Sequence, residues 1–174
     1  PLRLVGSEMC IRDRVMLSDP EAQIELGFIA KGFIADKMKD FLLSEGVSSA
    51  IINLGGNVLT VGHRPDGTPF RIGIQKPFSD SGTSALTLEL SDASVVSSGS
   101  YERYFKQNGK LYHHILSTST GYPVSSGLSQ VTIISSSSTT GDALSTLCFI
   151  LGYEKAASLL ENYPDIQAVF ITED

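Results

Sequence analysis

Four short runs between Ser49 and Leu90 fix most of what this chain can fold into, because each has the length and texture of a strand and each is closed by a turn. SAIINLGG reads as a buried strand entering a Gly-Gly turn, and NVLTVGHR returns from it as the second arm of a hairpin. FRIGIQKP and SALTLEL alternate apolar and polar residues, the pattern of antiparallel strands, with residues 78–83 as the loop between them. Further along, ASVVSSGSYERYF reads as strand, turn and short strand. Tyr112 to Leu116 reads as a short apolar strand and Ser117 to Gly121 as a tight polar turn. LSQVTIISS and IQAVFITED add two more strands.

Helices interrupt these strands irregularly. Near the start, VMLSDPEAQIELG predicts a strand, a turn at Ser18-Asp19-Pro20 and a second short strand ending at Gly27. From Phe28 the period changes: Ile29, Phe33, Ile34, Met38, Phe41 and Leu42 recur at helical spacing up to about Ser44, with Gly46 as the C-terminal cap. STTGDALSTLCFILG is a helix entered through a serine and threonine run, and YEKAASLLENY continues as another. The pattern predicts an α+β fold, a mixed and largely antiparallel sheet with packed helices.

Composition narrows the function classes. A chain of 174 residues, 41% hydrophobic and 18% charged, suits one globular domain or one large piece of a domain. The net charge of −6 and the lack of clustered Lys and Arg argue against nucleic acid. No apolar run approaches the ~20 residues of a transmembrane helix. Two cysteines, Cys10 and Cys148, are too few for a disulfide framework. Cys148 sits in an apolar stretch and reads as core.

Residues 4–14, LVGSEMCIRDR, have no period and no turn logic, and they match a translated transposase sequencing adapter at all eleven positions. Residues 1–14 are therefore expected to be non-native. The coding region is expected to begin near Val15, partway through a gene, so that residues 15–174 form the C-terminal portion of a longer domain.

Several residue pairs can carry chemistry. Asp142 and Thr146 in TTGDALST are four apart at the start of a helix, so they share a face. A carboxylate and a hydroxyl so placed can ligate a hard cation, and a carboxylate there can equally compensate the helix terminus. Lys31, at a strand-to-helix junction, can meet a phosphate or simply lie on a solvated face. NLGGN is glycine-rich without matching a dinucleotide motif or a P-loop. His114 has the free pKa of a general base, whereas His113, its neighbour along a strand, should face the other way. His63 reads as an exposed loop residue.

Together, ELGFIAKGFIADK, INLGGN, SGSYERYF, YHHIL with TGYP, and TTGDALST occur in the order and spacing of the ApbE-type FAD:protein FMN transferases, and the resemblance runs from Glu25 to about Gly152. It implies a Mg²⁺-dependent transferase that moves the FMN part of FAD onto a threonine of a target flavoprotein as a phosphoester, releasing AMP. By the same resemblance Asp142, Thr146 and the Ala30 carbonyl hold the metal. His114 is the base, and Lys31, Asn53, Leu54, Gly55, Gly56, Ser98, Gly99 and Ser100 line the FAD cleft. The family has Asp-Pro where this chain has Ser117-Thr118, which removes a carboxylate close to His114. FAD and the acceptor flavoprotein are the implied partners, and the cell envelope, by way of any upstream lipoprotein signal, is the implied location. Hydrolysis of FAD at its pyrophosphate, or flavin binding without catalysis, would use the same residues.

Overall fold

The computed structural model describes residues 9–11, 14–17, 21, 23–80 and 82–173. The first half contains β1 (Met9–Ile11), β2 (Arg14–Met16), α1 (Gly27–Ser44), β3 (Ser49–Asn53), β4 (Asn57–Gly62), β5 (Phe70–Gln75) and β6 (Ser84–Leu90). The second contains β7 (Ser94–Gly99), β8 (Tyr104–Gln107), β9 (Lys110–His113), β10 (Leu128–Ser135), α2 (Ser138–Leu151), α3 (Tyr153–Leu160) and β11 (Gln167–Thr172). Five strands form one sheet in the order β11-β10-β7-β4-β3, and all four of its ladders are antiparallel. β1–β2, β5–β6 and β8–β9 are separate antiparallel hairpins. The α+β class read from the sequence is the class observed.

Alternation along β10 builds three layers. Every residue of β10 is buried, which requires cover on both faces. Val131 and Ile133 pack against Leu144, Cys148 and Phe149 of α2. Ile134, on the other face, packs with Phe70, Ile72 and Ile74 of β5 and with Val95 of β7. The helices therefore cover one face and the β5–β6 hairpin the other. Each such apolar side chain contributes roughly 1.5–3 kcal/mol when fully buried. Cys148 is completely buried in the helix-side core, as its apolar context implies, and burial pushes its thiol up to about 11.

The helix read from Phe28 forms, starting one residue earlier, and residues 23–26 just before it are irregular where the sequence predicts a short strand. The turn expected at residues 18–20 lies outside the described residues. At the far end Gly46 N–H donates to the Leu43 carbonyl and Val47 N–H to the Leu42 carbonyl, a Schellman stop that uses Gly46 as the sequence suggests. The packing face of α1 is not the one its apolar periodicity marks. Phe33 and Phe41 are 54% and 62% exposed, and the buried residues are Gly32 and Ala35. Small size decides this, because α1 approaches α2 more closely than a large side chain permits. A Cβ at Gly32 would collide with the Ser138 carbonyl and come within 2.8 Å of the Asp142 Cβ.

The short strand expected over residues 112–116 is shifted. β9 ends at His113, and beyond it only an isolated bridge between Leu116 and Pro123 closes the turn. His114 N–H still bonds to the Arg103 carbonyl, the next position of the β8–β9 register, and past it Ile115 pairs with Val124 instead.

Gly32→Ala tests the close approach of the two helices. Alanine is favoured over glycine in a helix by roughly 1 kcal/mol, yet the collision should reverse the sign and cost about 1–3 kcal/mol. Urea denaturation measures the outcome, and an unchanged or raised midpoint would mean that α1 and α2 part without cost.

Candidate active site

The α1–α2 contact brings together residues 110 positions apart in sequence. Asp142 lies in the second turn of α2, almost fully buried, and its Oδ2 accepts the Gly32 amide at 2.7 Å. Among the described residues its Oδ1 takes no hydrogen bond. The Ala30 carbonyl lies on α1 two residues before that amide. Burial pushes the Asp142 carboxyl above the usual range, opposed by the Gly32 bond and the Lys31 charge. A half-free, desolvated carboxylate is a donor that a cation would stabilise.

Asp142 does not serve the α2 terminus. That role falls to Asp36 on α1, whose carboxylate accepts Ser138 N–H at 2.8 Å and Thr139 N–H at 2.9 Å, while Ser137 forms the N-cap. The Thr146 hydroxyl, one turn beyond Asp142, lies 3.1 Å from Ser98 Oγ, which also meets Ser145 Oγ at 2.8 Å. The alternation of β7 explains this placement: Ser98 faces the helices, while Ser97 faces the other way and meets Thr132 at 2.8 Å. Lys31 Nζ donates to the Gly55 carbonyl at 2.8 Å, and Gly55 N–H donates to Asn53 Oδ1. The loop between β3 and β4 is thus tied to α1. Gly55 and Gly56 both have positive φ (68° and 75°), which the tight reversal into β4 requires. Leu54 is half-buried against the core formed by Ala35, Ile52, Leu59 and Val61.

Gly99 and Ser100 sit apart from this cluster. The Ser100 hydroxyl is committed to the Ser129 carbonyl, and a Cβ at Gly99 would press on the Tyr101 ring and on that same carbonyl. A cavity of about 470 Å³, lined by Lys76, Phe78, Ser84, Ser129, Thr172 and others, opens at that end of the sheet, and none of the residues assigned from the resemblance lines it.

The two histidines divide as alternation predicts. His113 is buried: Ile115 N–H donates to its Nδ1, so Nε2 carries the proton and donates to the Val124 carbonyl at 3.0 Å. Its ring meets Phe149 of α2 edge-on at 5.7 Å. Because Phe149 is three residues beyond Thr146, this contact seats the 113–124 turn on the flank of α2 that carries Thr146. His114 is exposed, and no hydrogen bond joins it to Asp142 among the described residues. Partial desolvation of its ring holds its pKa below the ordinary value. The Arg103 carbonyl opposes that shift, and the Arg103 charge adds to it. Ser117 accepts the Ser119 amide on its own hydroxyl and closes the turn without a charge.

Sequence reasoning missed Gly32, Asp36, Ser138 and Asn57. Asn57 is completely buried and accepts the Ser138 hydroxyl at 2.8 Å. It follows the Gly-Gly pair and had no signal beyond a turn. Among the described residues no three His, Cys, Asp or Glu side chains converge as a metal cluster. The oxygen set of one carboxylate, one hydroxyl and one main-chain carbonyl is of the type a Mg²⁺ ion accepts alongside water and phosphate.

The α1–α2 contact of this α+β domain holds a buried carboxylate on which the Lys31 charge acts, with the Thr146 hydroxyl one turn further along α2. The ApbE family model matches residues 2–170, and the chain belongs to the ApbE family. It is 46% identical over 160 residues to a FAD:protein FMN transferase of Klebsiella pneumoniae, covering 92% of this chain and 49% of that protein. It is 39% identical over 168 residues to one of Treponema pallidum, covering 92% of this chain and 46% of that protein. A crystal structure of the ApbE protein from Thermotoga maritima superposes with a TM-score of 0.84 at 33% identity, covering 95% of this chain and 54% of the other. The chain thus spans about half the length of the relatives it matches.

His113→Ala should lower stability by about 1–3 kcal/mol, since it strands a buried carbonyl and amide. His114→Ala, at the exposed neighbour, should change it by less than ~0.5 kcal/mol. Thermal unfolding of the two variants checks the division, and a reversed order would assign the structural role to His114.

Proposed function

We infer that the protein containing this chain is a Mg²⁺-dependent FAD:protein FMN transferase, which joins FMN to a threonine hydroxyl of an acceptor flavoprotein and releases AMP. One observation carries the reading: Asp142 presents a carboxylate with one oxygen bonded to Gly32 and one free, with Thr146 a turn along its helix and Lys31 on the facing one. Family membership and the names of the relatives support the flavin chemistry.

Asp142 Oδ1, the Thr146 hydroxyl and the Ala30 carbonyl would hold Mg²⁺, which when bound neutralises charge on the pyrophosphate. Lys31, held over the Asn53–Gly56 loop, presents its ammonium to the same phosphates. His114 is the base. With its pKa held low it is neutral near pH 7 and free to accept the threonine proton. The threonine oxygen then bonds to the phosphorus of the FMN half, the P–O bond to the AMP half breaks, and AMP departs with those electrons.

Labelling of an acceptor protein by FAD, in the full-length protein, tests the metal site. Asp142→Ala should abolish Mg²⁺-dependent labelling, and Lys31→Ala should weaken FAD binding more than metal binding. Full labelling by Asp142→Ala removes the metal reading, and release of free FMN and AMP without labelled acceptor would assign the site to hydrolysis.

The base has its own signature. His114→Ala should slow transfer ~10²-fold or more while FAD binding persists. Because the free base is the active form and its pKa is lowered, the acid limb of the rate profile should have its midpoint below the ordinary histidine value of ~6.5. An acid limb at or above that value, or one that survives His114→Ala, would assign it to another group.

A further inference from the structure

Asp36 has no part in the assignments above, yet its carboxylate receives four hydrogen bonds, all from the start of α2. Ser138 N–H donates at 2.8 Å, Thr139 N–H at 2.9 Å, the Ser137 hydroxyl at 3.0 Å and the Thr139 hydroxyl at 2.6 Å. Two of these donors are main-chain amides that the helix itself leaves unpaired. One turn back along α1, Gly32 N–H holds Asp142, one turn forward along α2. The two helices run antiparallel here and are joined by two rungs a turn apart, with the Ser138 carbonyl seated against Gly32 between them.

We propose that Asp36 is a positioning residue for the metal site: it fixes the start of α2 on α1, so that Asp142 keeps Oδ2 on the Gly32 amide and Oδ1 free for a divalent cation. The inference rests on the metal reading of Asp142. Its physical basis is axial register. A slip of one residue moves α2 by about 1.5 Å along α1, enough to break a 2.7 Å bond at one rung and a 2.8 Å bond at the other together. Without the Asp36 rung, α2 loses the partner of its first amides, and the Asp142 carboxylate is free to turn both oxygens away. Burial pushes the Asp36 carboxyl up, but the bonds from Thr139, Ser138 and Ser137 outweigh it and keep the group ionised. Asp36 itself touches neither cation, FAD nor acceptor in this account.

Mn²⁺ titration followed by electron paramagnetic resonance, in the full-length protein, separates the two ideas. Asp142→Ala should eliminate the bound-Mn²⁺ signal. Asp36→Asn should weaken Mn²⁺ by about 10-fold or more, the scale seen when a group supporting a metal ligand is removed, with FAD affinity in the absence of metal unchanged. Ile74→Val, a destabilising change in the core on the opposite face of the sheet, should leave Mn²⁺ affinity intact. Should Asp36→Asn fail to fold, Thr139→Val removes one donor, keeps the carboxylate, and should still weaken Mn²⁺. Wild-type Mn²⁺ affinity in Asp36→Asn or Thr139→Val, with binding lost in Asp142→Ala, overturns the role of Asp36 alone. An equal loss in Ile74→Val overturns it too, because stability would then be the cause. Retained binding in Asp142→Ala overturns the metal reading and this inference together.

Discussion

A main-chain amide of one helix bonded to a carboxylate of another, Gly32 to Asp142, is the contact on which the rest of this site depends. It requires a residue with no side chain at position 32, since any Cβ would meet the Ser138 carbonyl. It also requires a short carboxylate at 142, because the Asp142 Cβ lies so close to Gly32 that a longer side chain has no room to bond the amide. With those two conditions met, α1 lies close to α2, Ala35 closes the gap to the sheet, and Lys31 reaches the β3–β4 loop. Phe33, Ile34, Met38 and Phe41 of α1 are left exposed, while Leu42 packs beside Ala35.

Asp36 and Asp142 show how environment separates two chemically identical groups. Burial raises both; at Asp36 the bonds from α2 prevail, and at Asp142 one amide and a nearby lysine do not. Linkage gives their effects opposite signs. The Asp36 contribution to stability is present above the unfolded pKa of ~3.9 and disappears as pH falls through its lower folded value. Asp142 costs stability as pH rises from the unfolded value through its raised folded one. The first acid holds the structure together and the second stores the cost that a cation at Oδ1 would relieve.

Much of the fold was legible because strand alternation and helix period report burial directly. The β3–β4 and β5–β6 hairpins, β10, and the helical runs from Phe28 and Ser138 all form where the pattern puts them. The face of α1 was not legible. Periodicity reports where large apolar residues fall, and this helix packs through its small ones. The placement of Asp142 and Thr146 one turn apart on α2, and the burial of His113 beside an exposed His114, follow from local geometry, which sequence encodes. Asp36 acts across 101 residues on a helix terminus, and Asn57 acts on Ser138 across 81. No local pattern announces partners that distant. Ser100 shows the converse: its motif neighbour Ser98 faces α2, while the end of β7 turns its own hydroxyl inward to Ser129.

The uncharged turn at Ser117 shifts control of the neighbouring imidazole elsewhere. A hydroxyl closes that turn as an aspartate would, but it sets no field on His114. The charges that act on that ring are Glu102, which favours its proton, and Arg103, which disfavours it. The Glu102–Arg103 pair just before β8 therefore becomes a tuning element. Substitutions at 102 or 103 would reset the basicity of His114 and its sensitivity to ionic strength.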